Sequence, residues 1–407
     1  MTRQLAPFAS AAEIAYAAAQ DAADAAASLL QPATPTETAA GLYNVSWARM
    51  PYWRAAIARV RAGTGRGKLL MVGDSTTSGT GSGSGGTSML NGAFATAPGR
   101  GVAALLAAVV ATSDKSLIGD QGVPAILGAT AYGTYDTRVV QGAGWNAAPT
   151  VVVGGNAFRY QTGAASIFAF TPAGAFDNFK IWYIKQTPSG GFAVNVDGGA
   201  SLGTVSTTGA GQTVGHSDFT VTRGTHTINL TASNDNQIIF LGIEVWDSTV
   251  PAIDIVQAGW HGSKIGGWAS VVASTTPWIP VNFIPTLAPD LTVINLTIND
   301  SNAPTALATY QAQMQVLITA AKTTGDVLLV AGAPSDTAFA TNGTLDRFVD
   351  VLRLLARTNG CGLLDIPARW GSYAAANPLF PYSDLLHPGA VGYQDIAQAI
   401  VTALTRD

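Results

Sequence analysis

Two kinds of apolar pattern divide this chain. Between about residues 128 and 247, apolar and polar positions alternate, as in "NAFRYQ", "ASIFAF", "NFKIWYIKQ", "GFAVNVDGG", "DFTVTRGTHTINLTA" and "QIIFLGIEVWD". A period of two puts every second side chain on one face of a strand, and the Gly, Ser, Asn and Asp between runs supply turns. The pattern predicts an antiparallel β-sandwich or jelly roll. Elsewhere, "KLLMVGDS", "AIDIVQAG", "LTVINLT", "DVLLVAG" and "GLLDI" are continuous apolar runs, as suits strands covered on both faces. Helical stretches separate them, among them "SWARMPYWRAAIARVRAGTG", "GVAALLAAVVATS", "TALATYQAQMQVLITAAKTTG", "TLDRFVDVLRLLARTNG" and "GYQDIAQAIVTALTRD". Alternating strands and helices with right-handed crossovers predict a five-stranded parallel sheet in an α/β domain. The β-rich block lies between the first helix and the second of these strands, so it is expected as an insertion. The expected divisions are an Ala-rich helix and linker at 1–40, the first part of the α/β domain at 41–127, the insert at 128–249, and the second part at 250–407.

Composition narrows the function classes. Of the 407 residues, 47% are hydrophobic and 11% charged, enough for a large core and unlike a disordered chain. A net charge of −4 without a Lys/Arg cluster argues against a nucleic-acid surface. Cys361 is the single cysteine, which excludes an intramolecular disulfide and a Cys-based zinc site. The histidines (His216, His226, His261, His387) lack metal-ligand spacing, and no metal is expected. No apolar run reaches the roughly 18 residues of a membrane span. The first thirty residues are Ala-rich, but Glu13, Asp21 and Asp24 break up any signal-peptide core. They read as a helix: either a peripheral element or tail, or a segment for oligomerisation or for joining a larger assembly such as a virion. An extracellular or virion-associated location is favoured.

In an open parallel sheet, reactive residues gather at the carboxyl ends of the strands. Ser75 ends the first run, in "GDS". Gly262 follows the second, Asn299 and Asp300 follow the third in "LTIND", and Asp384 and His387 lie in "SDLLHPGAVGY" before the last helix. These types form an acyl-transfer set. A serine nucleophile needs a base, which His387 can be. The imidazole needs an acceptor on its other nitrogen, which Asp384 can be. A tetrahedral oxyanion needs donors, which the N–H groups of Ser75 and Gly262 and the amide of Asn299 can supply. Each short motif alone also reads as a turn or a helix cap; it is their order and strand-end placement that make the set specific.

The set resembles the SGNH, or GDSL-type, hydrolases over about residues 42–128 and 250–407. "GDS" is similar to the first block of that family, "VQAGWHGSKI" to the second with Gly262 as its glycine, "TIND" to the third, and "SDLLHP" to the Asp-x-x-His block. The resemblance implies a flavodoxin-like three-layer α/β/α fold and esterase, lipase, thioesterase or carbohydrate-deacetylase activity without a cofactor. Thr297 stands where the third block usually has Gly, which could narrow the oxyanion loop. Ser75 and Gly262 are 262 − 75 = 187 positions apart, a gap that the insert explains. Trp260 and His261 either line a substrate cleft or pack within the loop, and Asp300 joins them as a candidate substrate contact. Asp74 is expected to hold the turn. Trp145, Trp182, Tyr183 and Trp246 read as sandwich core or as a sugar-stacking platform. The Gly/Ser/Thr run after Ser75 is expected to form a loop beside the site. The expected activity is a serine esterase, with a polysaccharide O-acetylesterase as the leading form. A general carboxylesterase or lipase, or a non-catalytic glycan-attachment module, is the alternative.

Overall fold

Alternate residues of each continuous apolar run face opposite helix layers, which is why those runs carry no polar face. In the strand Gly67–Gly73, Leu69 and Met71 enter one core and Leu70 and Val72 the other. The strand Asp326–Ala331 divides in the same way. The first core is closed by the helices Pro51–Arg61 and Ala390–Thr405, the second by Pro280–Leu287, Leu307–Ala321 and Leu345–Asn359. This is the three-layer α/β/α arrangement expected of the hydrolase part. The computed structural model describes residues 41–46, 49–81, 101–113, 115–117, 138–149, 156–160, 166–232, 237–269, 279–302, 305–336 and 345–405. The Ala-rich segment 1–40 and the Gly/Ser/Thr run from residue 82 onward lie outside them.

The expected five-stranded parallel sheet is corrected to a mixed sheet of seven strands among the described residues. Its order from edge to edge is Leu42–Tyr43, Gly362–Asp365, Asp326–Ala331, Leu291–Asn295, Gly67–Gly73, Ile253–Gly259 and Thr112–Ser113. Six run parallel, and Leu42–Tyr43 pairs antiparallel with Gly362–Asp365. The two added strands are two residues long, too short to show any period. Ile253–Gly259 joins Gly67–Gly73 on one side, and Leu291–Asn295, which follows it along the chain, joins on the other. The strand order therefore reverses at Gly67–Gly73, and the crevice at its carboxyl end is where ligands bind in such sheets.

Among the described residues, the β-rich part forms two five-stranded antiparallel sheets. One is ordered Gly203–Ser206, Gly191–Val196, Ile228–Ala232, Ile167–Phe170, Val139–Gln141; the other Thr213–Gly224, Phe176–Lys185, Ile238–Trp246, Asn156–Tyr160, Trp145–Pro149. Their inner faces share one core, with Phe168, Phe192 and Leu230 from the first sheet and Phe179, Ile181 and Phe240 from the second. The single alternating run "DFTVTRGTHTINLTA" breaks after Gly224, and its two halves enter different sheets. Trp145 and Tyr183 are buried in this core, and Trp182 is buried against Phe283 of the helix Pro280–Leu287 at 5.4 Å. These three rings are therefore packing, not a sugar platform. His216 lies 2.9 Å from Asp218 and His226 lies 2.6 Å from Asp197, both on this β-rich body.

Polar contacts fasten that body to the α/β part. Glu244 pairs with Lys68 and accepts the Trp182 indole N–H at 2.8 Å, and Lys68 donates to the Leu287 carbonyl at 2.7 Å. Arg66 binds the Asp254 carboxylate and the Asp247 carbonyl. Lys68 and Asp254 lie at the amino ends of their strands, the end opposite Ser75. No helix among the described residues is long and apolar enough to cross a membrane.

Candidate active site

The turn that carries Ser75 is built by short-range capping. Asp74 caps the helical turn Ser75–Ser78: its Oδ1 accepts from Thr76 N at 2.8 Å and Thr76 Oγ1 at 2.7 Å. Gly79, at φ 83°, ends the turn in the left-handed region that favours glycine. Gly73 precedes it because nothing larger fits: a Cβ there would lie 1.8 Å from Thr77 Oγ1 and 2.7 Å from the Asn295 carbonyl. Thr77 cannot easily swing away, because Asn295 Nδ2 donates to Thr77 Oγ1 at 3.0 Å and to Thr76 Oγ1 at 2.7 Å. The adjacent strand thus braces the turn from beneath. Asn295, Thr76 and Thr77 were not singled out in the sequence; only Asp74 and Thr76, spaced as a cap, leave a local signal.

Ser75, His387 and Asp384 are brought together. Ser75 Oγ lies 2.9 Å from His387 Nε2, and His387 Nδ1 lies 2.8 Å from Asp384 Oδ2. Asp384 Oδ1 accepts from the backbone N–H groups of Leu386 (2.7 Å) and His387 (2.6 Å), so the carboxylate folds its own loop as well as orienting the ring. Burial alone would raise the Asp384 carboxyl, but the hydrogen bonds from the His387 ring and from the two N–H groups outweigh it and hold the group below its usual range.

The loop with Gly262 hangs from the end of the nucleophile strand. Trp260 N donates to the Gly73 carbonyl at 2.8 Å, and Ser263 Oγ donates to the same carbonyl at 3.2 Å. Gly262 is exposed at φ 69°, a conformation that favours glycine. Asn299 Nδ2 donates to the Ser263 carbonyl at 3.1 Å, which ties the third block to the second and leaves the second amide hydrogen for another acceptor.

Asp300 does not face a cleft, contrary to expectation. It is buried, with Oδ2 accepting from Ile265 N at 2.8 Å and Oδ1 from Thr305 Oγ1 at 2.9 Å, so it holds the two loops in register. Thr297 does not narrow the oxyanion loop either. Its side chain is fully buried, in the neighbourhood of Gly332. Trp260 is half-buried and packs on the helix-layer core. His261 is part-buried beside Thr80 Oγ1.

Asp74 is fully buried beneath this site, and burial pushes its carboxyl up to about 6 despite the Thr76 hydrogen bonds. An unfolded carboxyl titrates near 3.8, so the folded chain holds a proton that the unfolded chain has lost between those two values. Stability from this group is therefore complete below about pH 3.8, falls as pH rises, and levels off above about 6. The Asp74→Asn variant keeps the acceptor for Thr76 and removes the titration. It is expected to lose on the order of 2–3 kcal/mol less than the parent between pH 4 and pH 7.5, measured by urea unfolding at both values. Identical pH differences in the two proteins would refute the assignment.

Fold and site together are those of a three-layer α/β ester hydrolase. Residues 247–394 match the GDSL-like lipase/acylhydrolase family, a family of ester hydrolases. The matched span holds Gly262, Asn299, Asp384 and His387, while Ser75 lies outside it. A solved peptidoglycan O-acetylesterase shares the fold with a TM-score of 0.62, at 15% identity over 89% of this chain and 97% of that one. An acetylxylan esterase from Geobacillus stearothermophilus (17% identity, 38% of this chain and 74% of that one, TM-score 0.30) is similar over a smaller part. So is a family two carbohydrate esterase from Clostridium thermocellum (12% identity, 65% and 97%, TM-score 0.28). No curated protein matches.

Proposed function

We propose that this chain is an O-acetylesterase that deacetylates a polysaccharide through a Ser75 acyl-enzyme. The observation that supports it most is the unbroken line Asp384–His387–Ser75, at 2.8 and 2.9 Å, at the strand-order reversal of the sheet. In the first half, Ser75 Oγ attacks the acetyl carbonyl as His387 Nε2 takes its proton. The oxyanion forms facing the N–H groups of Ser75 and Gly262 and the free amide hydrogen of Asn299, each donor being worth about 3 kcal/mol of barrier. His387 then returns the proton to the departing sugar oxygen, and the acetyl group stays on Ser75. In the second half, water gives a proton to His387 and attacks the acyl-enzyme. Acetate leaves, and the proton on His387 returns to Ser75 Oγ. Asp384 holds the ring in the tautomer that presents Nε2 as acceptor and stabilises the imidazolium formed in each half.

The acetylated polymer is suggested by the peptidoglycan O-acetylesterase that shares the fold, and peptidoglycan is the first substrate to try. We assign the β-rich region 128–249 to the insert and residues 41–127 and 250–407 to the hydrolase. Acetate release from O-acetylated polysaccharides is the test, run beside p-nitrophenyl esters of increasing chain length. Release from at least one polymer, with a sharp preference for acetyl among the aryl esters, is expected. Good turnover of long acyl chains with no polymer deacetylated would replace this reading by a general carboxylesterase or lipase.

A further inference from the structure

The steps above leave His261 without a task, although its ring stands at the same rim as His387. Thr80 Oγ1 lies 3.3 Å from His261 Nδ1 and 3.4 Å from Nε2. One hydroxyl bonds one ring nitrogen at a time, so the other nitrogen remains for a ligand. The Thr80 carbonyl is itself held by the Tyr393 hydroxyl at 2.7 Å. The next residue, Gly81 at φ 88°, fits against the other side of the site: a Cβ there would fall 2.2 Å from Ser383 Oγ and 2.8 Å from His387 Cβ. Thr80 and Gly81 thus form a short wedge with His261 on one flank and the His387 loop on the other. Burial first, and the neighbouring His387 second, push the His261 ring down to about 4, so at neutral pH it is uncharged. An uncharged imidazole that both donates and accepts is matched to a hydroxyl, and His387 remains the base at that rim.

The side of the ester that meets this ring follows from the proton path. The departing alcohol oxygen receives its proton from His387 Nε2, so it must come within hydrogen-bond reach of that atom. Groups on the His387 rim therefore border the alcohol half of the ester. His261 adjoins Gly262 in sequence, but its side chain is turned toward Thr80 and that rim.

We propose that His261 sets specificity for the alcohol half: its ring hydrogen-bonds a hydroxyl next to the acylated oxygen, so that the site prefers polyhydroxylated alcohols such as sugars to plain ones. The assignment rests on the esterase reading and goes beyond it by naming a side chain and the group it recognises. A site built to bond a hydroxyl discriminates against the analogue lacking it.

The test compares the parent with His261→Leu and His261→Gln on two soluble acetates, a monoacetylated hexose and phenyl acetate. Phenyl acetate has no hydroxyl beside its ester. The ratio of kcat/KM for the sugar ester to that for phenyl acetate is expected to fall about tenfold in His261→Leu, the loss of one hydrogen bond. His261→Gln, which keeps a donor and an acceptor, is expected to recover most of it. An equal loss on both esters, leaving the ratio unchanged, would overturn the proposal, and so would a Gln variant no better than Leu. Should the Leu variant not fold, Thr80→Val removes the anchor of the ring and must lower the same ratio; an unchanged ratio there also overturns it. Failure to release acetate from any polysaccharide would remove the polymer reading without touching this ratio. Failure of Ser75 to react with a serine-directed phosphonate would remove the mechanism itself.

Discussion

Replacing Ser75 by alanine is expected to lower kcat by roughly 10⁶-fold, the scale on which nucleophile deletions act in serine hydrolases. The change should leave the fold in place. Ser75 Oγ bonds the His387 ring, while the turn is held by Asp74, Thr76, Thr77 and Asn295. Thermal unfolding of Ser75→Ala should therefore stay close to that of the parent. A second expectation separates a triad from independent contributors. Ser75→Ala combined with His387→Ala should be no slower than either single variant, because the base has no task once the nucleophile is gone. Retention of a few per cent of activity by Ser75→Ala would show that another group attacks the ester. The neighbouring Ser78 is not suited to do so: it is buried, with Oγ 3.4 Å from the Asp74 carbonyl.

Asp384→Asn should come second in size. The asparagine oxygen can keep the two bonds from Leu386 N and His387 N, so the loop should persist. The new NH2 group would face His387 Nδ1 and force the ring proton onto Nε2, which then cannot accept the proton of Ser75. Buried triads lose about 10⁴ in kcat from this exchange. Here Asp384 has a side chain 52% exposed, so water already screens part of its charge and the expected loss is nearer 10³-fold. The loss should fall on kcat with KM within about threefold, because Asp384 acts on the ring and not on bound substrate. A change confined to KM would contradict the assignment and point to a role in binding.

The residues of the candidate site stood out because they lie at strand ends. Each of Ser75, Gly262, Asn299, Asp384 and His387 follows an apolar run or precedes the last helix, and a parallel sheet collects such positions on one edge. What supports them was not legible. Asn295 reads as one more residue of a buried strand, and its bonds to Thr76 and Thr77 depend on which strands are neighbours. Asp300 carries the same motif signal as Asn299, yet the loop geometry turns one side chain inward and leaves the other beside Ser263. Thr297 departs from the usual glycine of its block, and only the fold reveals that its side chain is fully buried. The two-residue edge strands, and the crossing of one alternating run between two sheets, follow from long-range pairing that no period of two encodes.

The fastening of the β-rich body at Lys68 has a consequence of scale. Lys68 is the second residue of the strand Gly67–Gly73, whose far end delivers Ser75. At about 3.3 Å per residue, the strand acts as a stiff ruler that keeps the fastening about 20 Å from the nucleophile. Both faces of that ruler are clamped by helix layers, so it can neither bend nor slip independently of them. A ligand held beside the fastening would have to span that length to reach Ser75, a distance that a single sugar cannot cover and a chain of several units can.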